Sequence, residues 1–312
     1  LVLDFGTEVE GRLHLEVGVS DLCNVYVTFG ESAQEAEGWG VPGQNPVATE
    51  HWMLPSEGRH ERTFDSRGFR FVRLSVFDLS GPFTLLDISA QAWMAFHERQ
   101  GDMRCSDRLF QRVWQTSVYT ARLCTREDCY WDGIKRDRHG WYGDARITQE
   151  TTDLVYMDPV PASKMLLRMP TEEWANGIPA YSFDGVAMLK QLILTYGTGQ
   201  PSVDPIYARC QKMMGWVRQS QVTEQGLVKR TAGTELFFGV GFLDWTPMPV
   251  GGRLEELSWL QFKYLEALAT WHSLAGGWAA RQTPSATAAR WKCSRPCCWT
   301  SSGGRTAASC TP

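Results

Sequence analysis

Long apolar runs, a strong charge of either sign and the familiar nucleophile and phosphate motifs are all missing from this 312-residue sequence. Each absence excludes something. No stretch approaches the ~18–20 consecutive apolar residues that a membrane-spanning helix needs, so no membrane is expected as partner. Thirty-one Lys and Arg against 35 Asp and Glu leave a net charge of −4, which makes no electrostatic case for nucleic acid or an anionic surface. There is no HExxH, no GxSxG, no P-loop and no GxGxxG followed by a suitable acid, which removes several metal, acyl-transfer and nucleotide chemistries. The six histidines (His14, His51, His60, His97, His139 and His272) are scattered. His139 alone sits among acids, where a single imidazole reads as a hydrogen-bonding neighbour rather than a ligand. No metal and no other cofactor is expected. The chain opens at Leu1 without a Met, a basic stretch or an apolar leader. The compartment stays open, with the cytoplasm slightly favoured.

Cysteine is present in a number that argues against a framework. Nine is odd, and Cys105, Cys124 and Cys129 have no zinc-ribbon spacing. Cys293, Cys297, Cys298 and Cys310 crowd into the last twenty residues. A disulfide scaffold does not suit this length and density.

What is present is ordinary in bulk and unusual in one respect. Hydrophobic residues at 43% and charged residues at 21% describe a globular protein. Fourteen tryptophans are far more than such a chain commonly carries. Most serve a core; some suit a sugar site, because an indole face packs on pyranose C–H groups while its N–H serves a hydroxyl.

Residues 1–97 read as strands. Leu13, Leu15, Val17 and Val19 alternate with His14, Glu16 and Gly18; Val25, Val27, Phe29 and Val72, Leu74, Val76 repeat the period of two. Breakers between the runs favour a β-sandwich, with no site chemistry in it. After Phe96 the period lengthens. Leu109, Phe110, Val113, Trp114, Val118 and Ala121 fall at helical spacing, with Ser106 as the expected cap and Asp107 in the first turn. Val203 to Val217 and Leu254 to Trp271 carry further stripes, and 145–157, 161–174 and 184–196 are weaker helical stretches. About six helices make residues 98–280 a mostly α domain. From Arg281 to Pro312 there is no Asp or Glu and no hydrophobic period. That tail reads as a shifted reading frame or mis-joined segment; the alternative is a disordered extension.

One segment concentrates chemistry: Asp132-Gly-Ile-Lys-Arg-Asp-Arg-His-Gly-Trp-Tyr-Gly-Asp144. The bland reading is a solvated, salt-bridged loop. Against it, Trp141 and Tyr142 between Gly140 and Gly143 are costly to leave in water. Asp132, Asp137 and Asp144 are expected to face one pocket, with Arg136 holding one of them ionised. Paired carboxylates across a sugar-sized cleft suit glycoside hydrolysis: one protonated to donate to the leaving oxygen, the other ionised to activate water or attack carbon. Neighbouring acids push each other's pKa values apart and so divide those roles.

At this loop the sequence resembles the α-L-rhamnosidases of glycoside hydrolase family 78, whose signature D-G-x-K-R-D-R-x-x-W-x-G-D stands here as DGIKRDRHGWYGD. LVLDFGTEVEGRLHLEV looks like the family's β-domain opening, and RGFRFVRLSV like a later strand. GDMRCSDRLFQRVWQTSVYTARL, IPAYSFDGVAMLKQLILTYGTG, FLDWTP and GGRLEELSWLQFKYLEALA continue in family order, so the likeness spans residues 1–276. The resemblance implies a multidomain β + α chain: an N-terminal β-sandwich, then the first half of an (α/α)6 six-hairpin barrel. It implies inverting hydrolysis of terminal α-L-rhamnosyl groups, a carbohydrate partner, and Asp137 as general acid. By the same likeness Asp132, Arg136, Trp141 and Asp144 bind substrate, and Asp244 and Trp245 of FLDWTP supply a second wall. The family's general base is a Glu from the second half of the barrel, and no residue here matches it. The chain is therefore expected to be weakly active or inactive, with apolar helix faces left uncovered. Two other readings stay open: a glycosidase of the same architecture for another sugar, and a non-catalytic rhamnoside-binding remnant.

Overall fold

The computed structural model describes residues 1–38, 48–95, 98–229 and 258–282. Residues 1–270 form one compact unit and 271–312 a second. The strands come first: β1 (Val2–Val19), β2 (Cys23–Gly30), β3 (Ala48–Leu54), β4 (Gly58–Thr63), β5 (Arg67–Phe77) and β6 (Phe83–Ala92). A short helix, α1 (Ala33–Ala36), follows β2. All six strands belong to one sheet of order β3-β2-β5-β1-β4, with β6 also paired to β1.

β1 is the spine. Its first half pairs antiparallel with β5, from Val2 opposite Arg73 to Gly11 opposite Arg67. Its second half takes β4 and β6 on its two edges, Val19 facing both Gly58 and Phe83. The alternation expected from the sequence puts Leu13, Leu15, Val17, Val25, Val27, Phe69 and Val72 wholly or almost wholly out of water in one core. Glu16 departs from it: expected on the wet face, it is only 8% exposed and is ion-paired with Arg59 of β4. Gly11 is required by packing, since a Cβ there would stand 2.4 Å from the carbonyl oxygen of Gln91 on β6.

The helices follow: α2 (Arg108–Cys124), α3 (Tyr142–Val155), α4 (Val160–Leu167), α5 (Pro179–Tyr196), α6 (Val203–Trp216) and α7 (Ser258–Gln282). The cap of α2 is Asp107, not the expected Ser106; the Asp107 carboxylate accepts the N–H groups of Leu109 and Phe110 at 2.8 and 3.0 Å. An ionised acceptor complements the helix N-terminus better than a hydroxyl. α5 is the central helix, buried on nearly every side from Pro179 to Leu192, and it packs against α3, α4 and α6. The stripe read on α2 is only half covered: Val118 and Ala121 are buried, whereas Leu109, Phe110 and Val113 are more than half exposed. Leu254, Leu257 and the tail beyond Gln282 lie outside the described residues. No described helix is long and apolar enough to cross a membrane. Among the described residues Cys23, Cys105, Cys124, Cys129 and Cys210 are free thiols.

Candidate active site

The segment 132–144 leaves α2 through a short bridge and closes on itself before α3. Thr125 and Tyr130 form the bridge. Asp132 N–H donates to the His139 carbonyl at 3.2 Å, and His139 N–H donates back to Asp132 Oδ1 at 3.1 Å. Between these two residues the backbone turns through Asp137 and Arg138, both with positive φ (54° and 52°). Arg138 N–H donates to the Arg136 carbonyl at 2.6 Å, so Asp137 stands at the centre of a γ-turn. That turn is sparsely populated for residues with a Cβ and persists only where its surroundings hold it.

The surroundings come from the strand region, which the sequence reading had left without site chemistry. Lys135 reaches Glu31 at 3.2 Å and Glu35 of α1. Arg138 donates to the carbonyls of Ile134 and Ser66 at 2.8 and 2.9 Å and lies 3.9 Å from Glu10. Two of the loop's three cations therefore fasten it to the sheet. The third, Arg136, pairs with Asp137 at 3.4 Å, with both side chains substantially exposed.

Asp132 is half-buried and lines a cleft of about 550 Å³ between α2 and α3, shared with Trp131, Val113 and Ile147. Burial raises its pKa above the usual carboxylate range; the His139 N–H opposes this and the Asp137 charge adds to it. Asp132 and Asp137 are thus in electrostatic reach of one another. The lining of that cleft includes Asp132 but not Arg136, Asp137, Trp141 or Asp144.

Trp141 and Asp144 gather around a residue the sequence reading missed. Trp141 meets the Tyr181 ring edge-on at 6.2 Å and the His139 ring at 5.2 Å. Asp144, in the first turn of α3, accepts the Tyr181 hydroxyl at 3.4 Å. Asn176 was missed too. Its side chain accepts the Tyr142 N–H at 3.0 Å and donates to the Gly140 carbonyl at 3.2 Å, with His139 Nε2 at 3.1 Å. The dipeptide Asn176-Gly177 was the available signal, since it marks a tight turn; Asn176 has φ 54° there. Asp244 and Trp245 lie outside the described residues. Among the described residues no group of three or more His, Cys, Asp or Glu could hold a metal ion.

Residues 98–247 match the family model for the bacterial alpha-L-rhamnosidase 6 hairpin glycosidase domain. The fold is similar to a glycoside hydrolase family 78 rhamnosidase of Bacillus sp. GL1, with TM-score 0.72 and 20% identity over 89% of this chain and 29% of that one. A Klebsiella oxytoca rhamnosidase with rhamnose bound gives TM-score 0.68 and 16% identity, covering 92% of this chain and 58% of its own. The alpha-L-rhamnosidase of Dictyoglumus thermophilum gives 0.59 and 16%, over 89% and 32%. No curated protein sequence matches the chain. The chain spans less than two thirds of the length of these solved proteins. The family match lies on the loop and on the helices that hold it, so residues 98–247 are similar to an α-L-rhamnosidase six-hairpin glycosidase domain, and the fold is that of family 78 rhamnosidases.

Proposed function

We propose that this chain carries the acid half of an inverting α-L-rhamnosidase site. The observation that supports it most is the complete DGIKRDRHGWYGD loop, held by the sheet so that Asp137 stands on a strained turn beside Asp132. In this reading Asp137 protonates the leaving oxygen. Asp132, Arg136, Asp144 and Asp244 bind sugar hydroxyls, while Trp141 and Trp245 pack on the ring. The strands form a β-sandwich built from one continuous sheet, and the helices form the first half of an (α/α)6 barrel. Inversion requires a base on the far face of the sugar with room for water between the carboxylates. We assign no residue of these 312 to that role, so the chain by itself turns over rhamnosides slowly or only binds them.

A rescue experiment tests this. Azide needs no base, so it should speed cleavage of a 2,4-dinitrophenyl α-L-rhamnoside and yield the β-configured azide. Asp137→Asn should cost about 10²–10⁴-fold on substrates with poor leaving groups and much less on this activated one, which needs little protonation. Unaided turnover at the rate of an intact rhamnosidase would refute the missing base. The same leaving-group pattern in Asp132→Asn, with none in Asp137→Asn, would move the acid to Asp132. Preference for a different aryl glycoside would support another sugar.

A further inference from the structure

Asp137 takes its positive φ between two stretches of loop that the strand region holds. On its C-terminal side Arg138 donates to the Ser66 and Ile134 carbonyls. Ile134 is itself seated on β5, where a Cβ at Gly68 would stand 2.8 Å from its carbonyl oxygen. On the N-terminal side the hold passes through Lys135, whose ammonium reaches Glu31 at 3.2 Å and also Glu35. Neither acid belongs to the loop: Glu31 follows β2 and Glu35 lies in α1.

α1 has only four residues, yet it is fixed at both ends. Ser32 Oγ accepts the Glu35 N–H at 3.2 Å, and the Glu31 N–H donates to Glu35 Oε2 at 2.9 Å. At the far end Arg73 of β5 donates to the Glu37 carbonyl at 2.8 Å. Gly30 lets the helix approach the end of β2, since a Cβ there would stand 2.6 Å from the Ala36 nitrogen. One Glu35 oxygen is thus held by backbone while the other faces Lys135. An exposed ion pair usually contributes little, because two long side chains must be immobilised to make it. Here the acceptor is immobilised already and the lysine side chain is only 27% exposed, so the contact fixes a direction.

We infer that Lys135 and Glu35 are positioning residues for the general acid: α1 is a fixed bracket that, through Lys135, keeps the turn at Asp137 in the orientation proton transfer needs. A sparsely populated turn relaxes once its surroundings stop holding it. A misplacement of about 1 Å in a reacting group can cost about 10²-fold in rate. The bracket follows from the contacts of Lys135, Glu31 and Glu35; that it serves an acid rests on the function proposed above.

Two measurements on the full chain test this, and only the second depends on that function. Amide hydrogen exchange at Arg138 and His139 should quicken about tenfold or more in Lys135→Met and in Glu35→Gln, with exchange in β1 unchanged. Lys135→Arg, which keeps the charge, should stay within about threefold of the parent. In azide-assisted cleavage, Lys135→Met and Glu35→Gln should each lower kcat on phenyl α-L-rhamnoside about tenfold or more, with KM within about twofold. The 2,4-dinitrophenyl substrate should lose less than about threefold, because it needs little protonation. Lys135→Met leaves the carboxyls of Glu8, Glu31 and Glu35 in one another's reach without their lysine, whereas Glu35→Gln removes a charge from that group. A loss common to both variants is therefore not the work of repulsion. Unchanged exchange at the turn in both variants would overturn the inference. So would equal kcat losses on the two substrates, or a loss confined to KM, in a chain whose Asp137→Asn variant shows the leaving-group pattern. If Asp137→Asn shows no such pattern, the proposed function fails and the acid with it, while faster exchange at the turn still supports the bracket.

Discussion

Asp132 and Asp137 belong to one loop but meet different surroundings: one half-buried in an interhelical cleft, the other exposed on a γ-turn. Single residues elsewhere set that geometry. Gly143 opens α3, and an added Cβ would stand 2.3 Å from a Tyr181 ring carbon. Alanine is the better helix former by about 1 kcal/mol, but overpacking against a ring costs about 1–3 kcal/mol. The clash wins. Gly143→Ala should lower thermal stability and, by displacing Tyr181 from Asp144 and Trp141, weaken rhamnoside binding; unchanged melting and binding would show that the ring simply moves aside. Glu8 of β1 is a second case. Burial pushes its carboxyl up to about 7, helped by Glu31 and Glu35 and opposed by Lys135 and Arg70. Between its unfolded value and pH 7 the folded chain therefore holds a proton that the unfolded chain has lost. Stability from this group is complete below about 4.5 and fades as pH rises through 7. Glu8→Gln should flatten the denaturation free energy across that window and leave the variant the more stable form at pH 8. A steeper slope in the variant would contradict the sign.

Among the elements, α5 is held by packing on nearly all sides and by a charged lattice on one. Arg146 of α3 reaches Asp184 of α5 at 2.9 Å and Glu266 of α7 at 2.8 Å, and Lys263 of α7 reaches Asp184 at 2.7 Å. Asp184 is 5% exposed and meets both cations through the same carboxylate oxygen. Asp184→Ala should cost about 2 kcal/mol in urea denaturation, the worth of buried charge-assisted hydrogen bonds. Asp184→Asn, which keeps an acceptor, should cost less; equal losses would assign the effect to packing. Of the helices in this lattice only α7 carried a clear apolar stripe in the sequence; α3 and α5 read as weaker stretches, and α5, buried on nearly every side, keeps little one-faced period. The lattice itself was not legible there: Arg146, Asp184 and Glu266 lie far apart in the chain and carry no local signature.

For the whole molecule the exposed apolar surface matters most. Leu109, Phe110 and Val113 of α2 stand uncovered, as do Ile147 and Leu154 of α3. Contiguous apolar surface of this kind drives association in water. Sedimentation should show self-association that rises with concentration, and Leu109→Gln with Ile147→Gln should reduce it. A monomer at all concentrations would show that this surface does not drive association.

The sequence alone determined what depends on short range. A period of two marked the strands, a period of 3.6 marked the helices, and one thirteen-residue segment carried enough chemistry to indicate glycoside hydrolysis. These signals are local because each turn or pleat repeats the same choice between water and core. Tertiary structure decided which charges act together. Lys135 and Arg138 read as part of a solvated charge run, yet they tie the loop to Glu31, Glu35, Glu10 and the Ser66 carbonyl. Trp93, Arg126 and Trp131 read as scattered aromatics and a basic residue until β6 and the end of α2 stack them around one cavity. Coulomb and dispersion forces act over a few ångströms of space, whatever the distance along the chain, so these partnerships exist only once the sheet and the helices have closed on each other.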